Sequence, residues 1–238
     1  MKTFNSIPVL GILGGMGPAA TIDLQQRILS RSPAQRDQEH IPTVVWNHGA
    51  IPDRQLALAG RGESPFAAML DGLRLLEKSG VSKIAIPCNT AHYWHAELQQ
   101  QTEIEIFNLV QLTVDHIRQH RQDACVGILA TKGALFTQLY QHELEAQDIA
   151  YIVNTVEDVE ELVMPACYAV KSNNWTAGGQ AFEIAGQKLI DQGANALILA
   201  CTEIPIGLQA IQSELLAMSY DTTTILADTC IRWFYGSH

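Results

Sequence analysis

Two cysteines of this chain occupy matching positions, each at the end of a short apolar run. Gly80 precedes Cys88 by eight residues, and Gly193 precedes Cys201 by the same number. Apolar runs of this length that are bounded by turn residues are typical of buried parallel strands. Both thiols are therefore predicted at the carboxyl ends of strands, where open α/β sheets place their reactive groups.

The residues that follow the two cysteines indicate what the thiols could do. Asn89 and Thr90 follow Cys88, Thr202 follows Cys201, and both residue types, asparagine and threonine, can cap a helix. A helix N-terminus favours anions, so we expect it to lower the pKa of each thiol below the usual value of about 8.5. Two such thiols on opposite sides of one carbon would perform two-base catalysis, in which a thiolate removes a proton and a thiol delivers another. That chemistry inverts a stereocentre.

Other uses of the cysteines are less favoured. A disulfide between Cys88 and Cys201 would close the site and suits an oxidising compartment. A cysteine hydrolase needs a histidine base, and His92 is predicted to lie on the next helix and to point elsewhere. The remaining cysteines are interpreted as small buried side chains, since single buried cysteines are common in cores; they are Cys125, Cys167 and Cys230. Without a C-x-x-C pair the pattern does not predict zinc, and reduced thiols in a cytoplasmic protein are favoured.

A second internal similarity supports the first. Residues 9–17 resemble residues 125–133, and Thr21 recurs as Thr137. From 21 to 137 is 116 residues, and from 88 to 201 is 113 residues. Similar offsets in the same order indicate a doubled α/β unit. If the halves pack about an approximate two-fold axis, the two cysteines face each other across a cleft.

Composition excludes several classes of partner. The chain has 238 residues, 47% of them apolar and 17% charged, and a net charge of −10. An acidic chain without a basic cluster is not expected to bind nucleic acid or an anionic membrane. Lys2 and the apolar residues 7–20 resemble a signal peptide, but glycines and prolines interrupt the run. No apolar run approaches the ~20 residues of a transmembrane helix.

Periodicity predicts alternating strands and helices. In the first half these are strand 7–13, helix 18–31, strand 41–46, a long connection 47–64, helix 65–79, strand 83–87, helix 90–101, strand 104–109 and a helix to 120. In the second half they are strand 125–129, helix 134–146, strand 149–153, helices 157–170 and 176–192, strand 195–200, a short helix after Glu203, strand 224–226 and a helix to 234. This alternation predicts an α/β protein with parallel sheets flanked by helices. We expect two similar lobes related by pseudo-two-fold symmetry: residues 1–110 plus 223–238, and residues 111–222.

Five ordered segments resemble the aspartate racemase group of the aspartate/glutamate racemase family. They are GGMGPAAT at 14–21, IPDR at 51–54, PCNTAH at 87–92, GILAT at 127–131 and CTEIP at 201–205. The resemblance implies an amino-acid racemase of two similar lobes that works without pyridoxal phosphate or another cofactor, is usually a homodimer and interconverts L- and D-aspartate. It also implies that Cys88 and Cys201 form the catalytic acid/base pair.

The resemblance carries substrate-binding roles to eight further residues. Met16, Gly17, Asn89, Thr90, Thr131 and Thr202 are expected to hold the substrate, mainly through its α-carboxylate, for which glycine-rich turns ahead of helices are suited. Arg54 and Lys171 match the cations that bind the side-chain carboxylate, and a guanidinium binds carboxylate as a fork.

The chain departs from the family pattern at two positions. Cell-wall glutamate racemases usually carry Cys-Thr-His where this chain has Cys201-Thr202-Glu203, which argues against that subgroup and leaves the role of Glu203 open. Ala134 replaces a threonine common in relatives. Alternatives are a broad-specificity racemase or another isomerase of the superfamily, and a non-catalytic two-lobed amino-acid binder.

Overall fold

A three-stranded parallel sheet with the order β2-β1-β3 forms the centre of the first part of the chain. In the computed structural model, which describes residues 7–121 and 123–236, β1 is Leu10–Gly14, β2 is Thr43–Asn47 and β3 is Lys83–Ala85. All five residues of β1 are buried, because β1 is the central strand and its two neighbours pair with it from Leu10 onward.

Helices pack around this sheet and bring amphipathic faces to its core. They are α1 (Pro18–Arg31), α2 (Arg54–Leu58), α3 (Phe66–Lys78) and α4 (His95–Gln99), with 3₁₀ turns at Asp37–Glu39 and Thr90–Trp94. The helix α1 begins at a proline, which is favoured in the first helical turn because its missing N–H would have no partner there. Leu24 and Ile28 of α1 are buried at helical spacing.

The second part of the chain is built on a four-stranded parallel sheet with the order β5-β4-β6-β7. Its strands are β4 (Cys125–Ala130), β5 (Ala150–Val153), β6 (Ala196–Ala200) and β7 (Ser219–Asp221). Its helices are α5 (Leu109–His120), α6 (Lys132–Phe136), α7 (Leu139–Ala146), α8 (Val156–Asp158), α9 (Met164–Lys171), α10 (Trp175–Asp191) and α11 (Glu203–Ala210), with a π-helical turn at Val159–Val163 and a 3₁₀ turn at Glu214–Met218. The closing helix is α12 (Thr222–Gly236).

The two sheets repeat one strand plan. In each, the first strand is central, the second flanks it on one side and the third on the other, which gives β2-β1-β3 and β5-β4-β6. The turn after each central strand also repeats a hydrogen bond: Thr21 Oγ1 donates to the Gly17 carbonyl at 3.2 Å, and Thr137 Oγ1 donates to the Gly133 carbonyl at 2.8 Å. These equivalences support the internal repeat that the sequence indicated.

The chain divides into two compact units, Met1–Asn108 with Leu226–His238, and Leu109–Ile225. The predicted α/β class with two parallel sheets flanked by helices is confirmed. Lys2 and the outermost ends of the predicted lobes, 1–6 and 237–238, lie outside the described residues. Within the described ranges, no helix is long and apolar enough to cross a membrane.

Two strand predictions are wrong. Residues 104–109 form one isolated bridge, Ile84 to Ile106, and β3 itself ends one residue later at Ala85. The Ile106 N–H points away from β3 and donates to Gln99 Oε1 at 2.8 Å. Residues 224–226 lie in α12, whose first amides at Thr223 and Thr224 donate to the Asp221 carboxylate. The strand of that region is β7, a few residues earlier.

Two predicted helices and one predicted connection also differ from the structure. The predicted helix 134–146 is two helices, α6 and α7, since Gln138 adopts a left-handed conformation with φ 53° between them. The predicted helix 90–101 is a 3₁₀ turn followed by α4. The connection 47–64 contains α2, which the side chain of Asp53 caps by accepting the N–H groups of Gln55 and Leu56.

Candidate active site

Cys88 lies just beyond β3, as predicted for a strand-end thiol. Its side chain is 6% exposed and packs in an apolar cluster that contains Met16 and Ile51. The neighbouring polar side chains, Asn89 and Thr90, are also buried, and Thr90 Oγ1 accepts a hydrogen bond from Gln55 Nε2 at 3.2 Å. This contact ties the Cys88 loop to α2.

His92 holds the backbone of the Cys88 loop rather than its sulfur. Its ring is buried, with Nδ1 2.8 Å from the Cys88 carbonyl oxygen and Nε2 3.4 Å from the Phe107 carbonyl oxygen. Burial, with a smaller effect from the stacked His95, lowers the pKa of His92 to about 4, so the imidazole is neutral at physiological pH. The expectation that His92 is not the base for Cys88 agrees with these contacts, although the ring is in the core.

Arg54 is a buried cation at the start of α2. Its side chain is 8% exposed, and Nη1 donates to the carbonyl oxygens of Ile51 at 3.2 Å and Pro52 at 2.9 Å. Within the described part of the chain, Arg54 has no carboxylate partner. Burying a charge without an opposite charge is costly, so this guanidinium is suited to an anionic ligand.

Met16 and Gly17 lie in the turn between β1 and α1, and Thr21 fixes that turn. Thr21 Oγ1 accepts the Gly15 N–H at 2.9 Å and donates to the Gly17 carbonyl. Gly15 has φ +98°, and an added Cβ would lie 2.3 Å from the His48 carbonyl oxygen, so only glycine fits there. The first turn of α1 carries no acidic side chain, which leaves the helix N-terminus free to favour an anion.

Cys201 lies just beyond β6 and has two polar neighbours. Its Sγ donates to Oε2 of Glu203 at 3.0 Å, and the same oxygen accepts a hydrogen bond from Thr202 Oγ1 at 3.4 Å. Cys201 is 7% exposed and Glu203 is 2% exposed. The second oxygen of Glu203, Oε1, is buried and has no hydrogen-bond partner among the described residues.

The other neighbour of the Cys201 sulfur is Cys167 of α9. The two sulfur atoms are 3.6 Å apart, and both residues belong to one apolar cluster. Hydrogen bonding to Cys167, burial and the Glu203 carboxylate raise the pKa of Cys201 well above its usual range, while Lys171 lowers it to a smaller extent. The expectation that a helix start lowers the pKa of this thiol is therefore wrong, because the packed neighbours outweigh the helix.

The remaining predicted residues of the second unit are Thr131 and Lys171. Thr131 is buried at the end of β4, where its hydroxyl accepts the Ala134 N–H at 3.3 Å and begins α6. Lys171 ends α9 with its ammonium 5.5 Å from the centre of the Tyr168 ring. Ala134 is also buried.

The described contacts connect part of the predicted set within each unit. In the first unit, Cys88 and Met16 share one apolar cluster, and Thr90 contacts α2, which begins at Arg54. In the second unit, Cys201 and Thr202 both contact Glu203. Sequence reasoning missed the contact of Cys167 with Cys201 and the role of Gln55, since neither residue belongs to a motif. Among the described residues, no group of three or more His, Cys, Asp or Glu side chains could hold a metal ion.

Comparison with known proteins assigns the chain to a family. The profile described as Asp/Glu/hydantoin racemase matches residues 13–230. The chain belongs to this family. The broad-specificity amino-acid racemase RacX of Bacillus subtilis is 30% identical over 221 residues, which cover 87% of this chain and 90% of that protein.

Solved structures of racemases share the fold. An aspartate racemase from Picrophilus torridus superimposes with a TM-score of 0.84 at 28% identity, covering 96% of this chain and 94% of that one. Glutamate racemase RacE1 from Bacillus anthracis matches with a TM-score of 0.69 at 17% identity over 97% of this chain and 82% of its own, which shows the fold alone. The predicted family and the predicted enzyme class, an isomerase of the amino-acid racemase type, are confirmed.

Proposed function

We propose that this enzyme interconverts L- and D-aspartate, with Cys88 and Cys201 acting on opposite faces of the α-carbon. The proposal includes catalysis without a cofactor and a homodimer, both of which the family resemblance implies, and a cytoplasmic location, which the scattered single cysteines favour. Its main support is the equivalence of the two cysteines: Cys88 follows β3 and Cys201 follows β6, the corresponding strands of the two repeats.

The preference for an acidic substrate rests on two cations. Arg54 is buried and binds only backbone carbonyls among the described residues, so a substrate carboxylate would supply its missing counter-charge. Lys171 is the cation whose charge lowers the pKa of Cys201, against the larger effects that raise it. The small polar side chains Asn89, Thr90, Thr131 and Thr202, with the amides near Met16 and Gly17, are suited to the α-carboxylate because they offer hydrogen bonds without bulk.

The proposed proton transfers follow from the unequal surroundings of the two thiols. The raised pKa of Cys201 keeps it protonated, so it delivers a proton to the carbanion after the Cys88 thiolate has removed the α-proton from the other face. In the reverse direction, Cys201 needs to lose its proton first, and Glu203 Oε2 at 3.0 Å can accept it. Hydrogen bonds to the substrate carboxylate stabilise the carbanion in place of an electron-withdrawing cofactor.

Solvent exchange tests the two-thiol mechanism. L-aspartate in D₂O should lose optical rotation and gain α-deuterium with the parent enzyme, whereas Cys88→Ala and Cys201→Ala should each lose racemisation by roughly a hundredfold or more. Each variant should retain α-proton exchange without inversion for only one enantiomer, because one base remains on one face. The two variants should retain opposite enantiomers.

Two results would count against the proposal. Binding of aspartate by the parent without exchange would indicate a non-catalytic binder. Exchange of the same enantiomer by both variants would show that the thiols do not act on opposite faces.

A broad-specificity racemase is the second candidate, because the relative in Bacillus subtilis carries that name. Buried Ala134, in place of threonine, removes a hydroxyl from the start of α6. A screen of acidic and neutral amino acids for α-proton exchange distinguishes the candidates. Comparable rates for several neutral substrates would favour broad specificity, and a preference for aspartate of at least tenfold would favour the first proposal.

A further inference from the structure

The contact between the Cys167 and Cys201 sulfurs is unusual within this chain. All five cysteines lie in the described residues as free thiols, and this is the pair whose sulfurs are in contact, at 3.6 Å. Cys88 is buried to nearly the same extent as Cys201 and has no such thiol neighbour among the described residues.

The surrounding core fixes this pair. Cys167 shares a buried cluster with Ala166 and Val170 of α9, with Val163 of the preceding turn and with Phe182 of α10. An added Cβ at Gly178 of α10 would lie 2.5 Å from the Val170 side chain, so α9 and α10 are closely packed. The two sulfurs therefore meet because rigid elements hold them together.

We propose that Cys167 and Cys201 form a redox modification site, at which hydrogen peroxide converts the two thiols into a reversible disulfide that blocks catalysis. The bond needs the sulfurs to approach from 3.6 Å to about 2.05 Å. The site rests on the proposed function in one respect: a pocket that admits an amino acid to Cys201 also admits the smaller peroxide molecule.

The chemistry proceeds in two balanced steps. The Cys201 thiolate attacks a peroxide oxygen, the O–O bond breaks, and hydroxide leaves with the thiol proton as water, giving a sulfenic acid. The Cys167 sulfur then attacks the Cys201 sulfur, the S–O bond breaks, and hydroxide leaves with the Cys167 proton as a second water. The sulfurs lose two electrons and the peroxide gains them. Cys201 is the first target because it is 7% exposed, compared with 2% for Cys167.

The disulfide protects Cys201 from irreversible oxidation as well as inhibiting catalysis. A sulfenic acid without a nearby thiol can be oxidised further to sulfinic acid, which is irreversible in most proteins. With Cys167 3.6 Å away, Cys201 is trapped as a disulfide that a thiol reductant can reverse. Cys88 lacks that protection.

Peptide mapping of the peroxide-treated full chain tests the proposal. The parent is treated at mildly alkaline pH, since the raised pKa of Cys201 leaves little thiolate at neutrality. It is then alkylated, digested without reductant and analysed by mass spectrometry. We expect a linked peptide pair containing Cys167 and Cys201 that disappears with dithiothreitol, while Cys201 itself gains no sulfinic acid.

Variants identify the role of each thiol. In Cys167→Ala, and in Cys167→Ser as a second variant of closer shape, the link should be absent and Cys201 should become irreversibly oxidised. Cys230→Ala, which removes another buried cysteine, should form the link as the parent does. A parent in which Cys201 is oxidised to sulfinic acid without a link, or in which Cys201 links to Cys88, would overturn the proposal.

The failure of this inference and of the proposed function can be told apart. The peptide link is measured by mass and does not depend on racemase activity. A parent that is inactive before treatment but forms the link on treatment would contradict the proposed function alone, and a parent that is active before treatment but forms no link on treatment would contradict the redox site alone.

Discussion

Arg54 shows how one residue can set substrate choice, because its charge is buried without a carboxylate partner among the described residues. We predict that Arg54→Gln lowers kcat/KM for aspartate by roughly tenfold to a hundredfold, the loss expected for one charged hydrogen bond. The rate with neutral amino acids should change much less. Steady-state racemisation of both substrate classes measures the difference.

A matched control for this change lies in the same connection. Arg61 is exposed after α2, so Arg61→Gln alters the same net charge without touching a buried group. Equal losses in Arg61→Gln and Arg54→Gln would mean that overall charge, and not a specific contact, favours aspartate.

His92 links protonation to the stability of the Cys88 loop. Its pKa is lowered from 6.5 to about 4 in the folded chain, so between these values the unfolded chain binds the additional proton. Stability therefore falls as the pH falls through this window, by about 3 kcal/mol for a shift of this size. Below pH ~4 both states are protonated and the loss is complete.

We predict that His92→Gln removes this part of the pH dependence. The free energy of unfolding, measured with urea at pH values from 7 to about 4, should fall less steeply in the variant than in the parent. His142→Gln, which changes an exposed imidazole, should keep the parent slope. If the free energy of unfolding of His92→Gln fell with decreasing pH as steeply as that of the parent, other groups would cause the acid sensitivity.

At the scale of elements, Thr21 fixes the turn that follows β1. Its hydroxyl accepts the buried Gly15 N–H and also donates to Gly17, whereas the hydroxyl of the equivalent Thr137 donates to the carbonyls of Gly133 and Ala134. We predict that Thr21→Val costs about 1–3 kcal/mol, because it leaves the Gly15 N–H without a partner.

The repeat supplies the comparison for that change. Thr137→Val should cost less, since no backbone N–H loses its acceptor, and Thr21→Ser should remain near the parent. Thermal or urea unfolding of the three variants measures the order. Equal costs for Thr21→Val and Thr137→Val would show that packing of the methyl groups, and not the hydrogen bond, determines the effect.

Elements with strong local signals could be predicted from the sequence, and elements decided by single side chains could not. Pro18 and the apolar spacing after it predicted α1 with its observed bounds. The isoleucines near 104–106 suggested a strand, but Ile106 forms only an isolated bridge to Ile84, and its own N–H donates to the Gln99 side chain, a contact that no local pattern predicts. Asp221 caps α12, and aspartate is a common cap, but the threonine-rich run after it favours a strand.

The candidate active site likewise has features that the sequence predicts and features that depend on packing. Strand-end positions for Cys88 and Cys201 followed from apolar runs bounded by glycine, and the structure has both there. The direction of the pKa shift of Cys201 could not be predicted from the sequence. Cys167 lies 34 residues earlier in the chain, and only packing brings its sulfur to 3.6 Å from the Cys201 sulfur. The local sequence predicts a helix start after Cys201, whereas the pKa of the thiol depends on residues that come close to it only in the folded chain.

At the scale of the whole molecule, the repeat divides the proposed substrate contacts between two units. Arg54 belongs to the unit of Met1–Asn108 with Leu226–His238, and Lys171 belongs to Leu109–Ile225. If one aspartate molecule uses both cations, its binding energy depends on both units at once. A ligand that binds the folded state at a concentration of 100 times its Kd stabilises that state by about 2.7 kcal/mol, which thermal unfolding can detect.

We predict that Arg54→Gln and Lys171→Gln each reduce the stabilisation by aspartate, and that the double variant loses less than the sum of the two single losses. Non-additivity is expected because a substrate released from one cation no longer holds its carboxylate against the other. Lys78→Gln, an exposed change at the end of α3, should retain the stabilisation of the parent. Additive losses would mean that the two cations act independently, and two-unit recognition of one substrate would then be wrong.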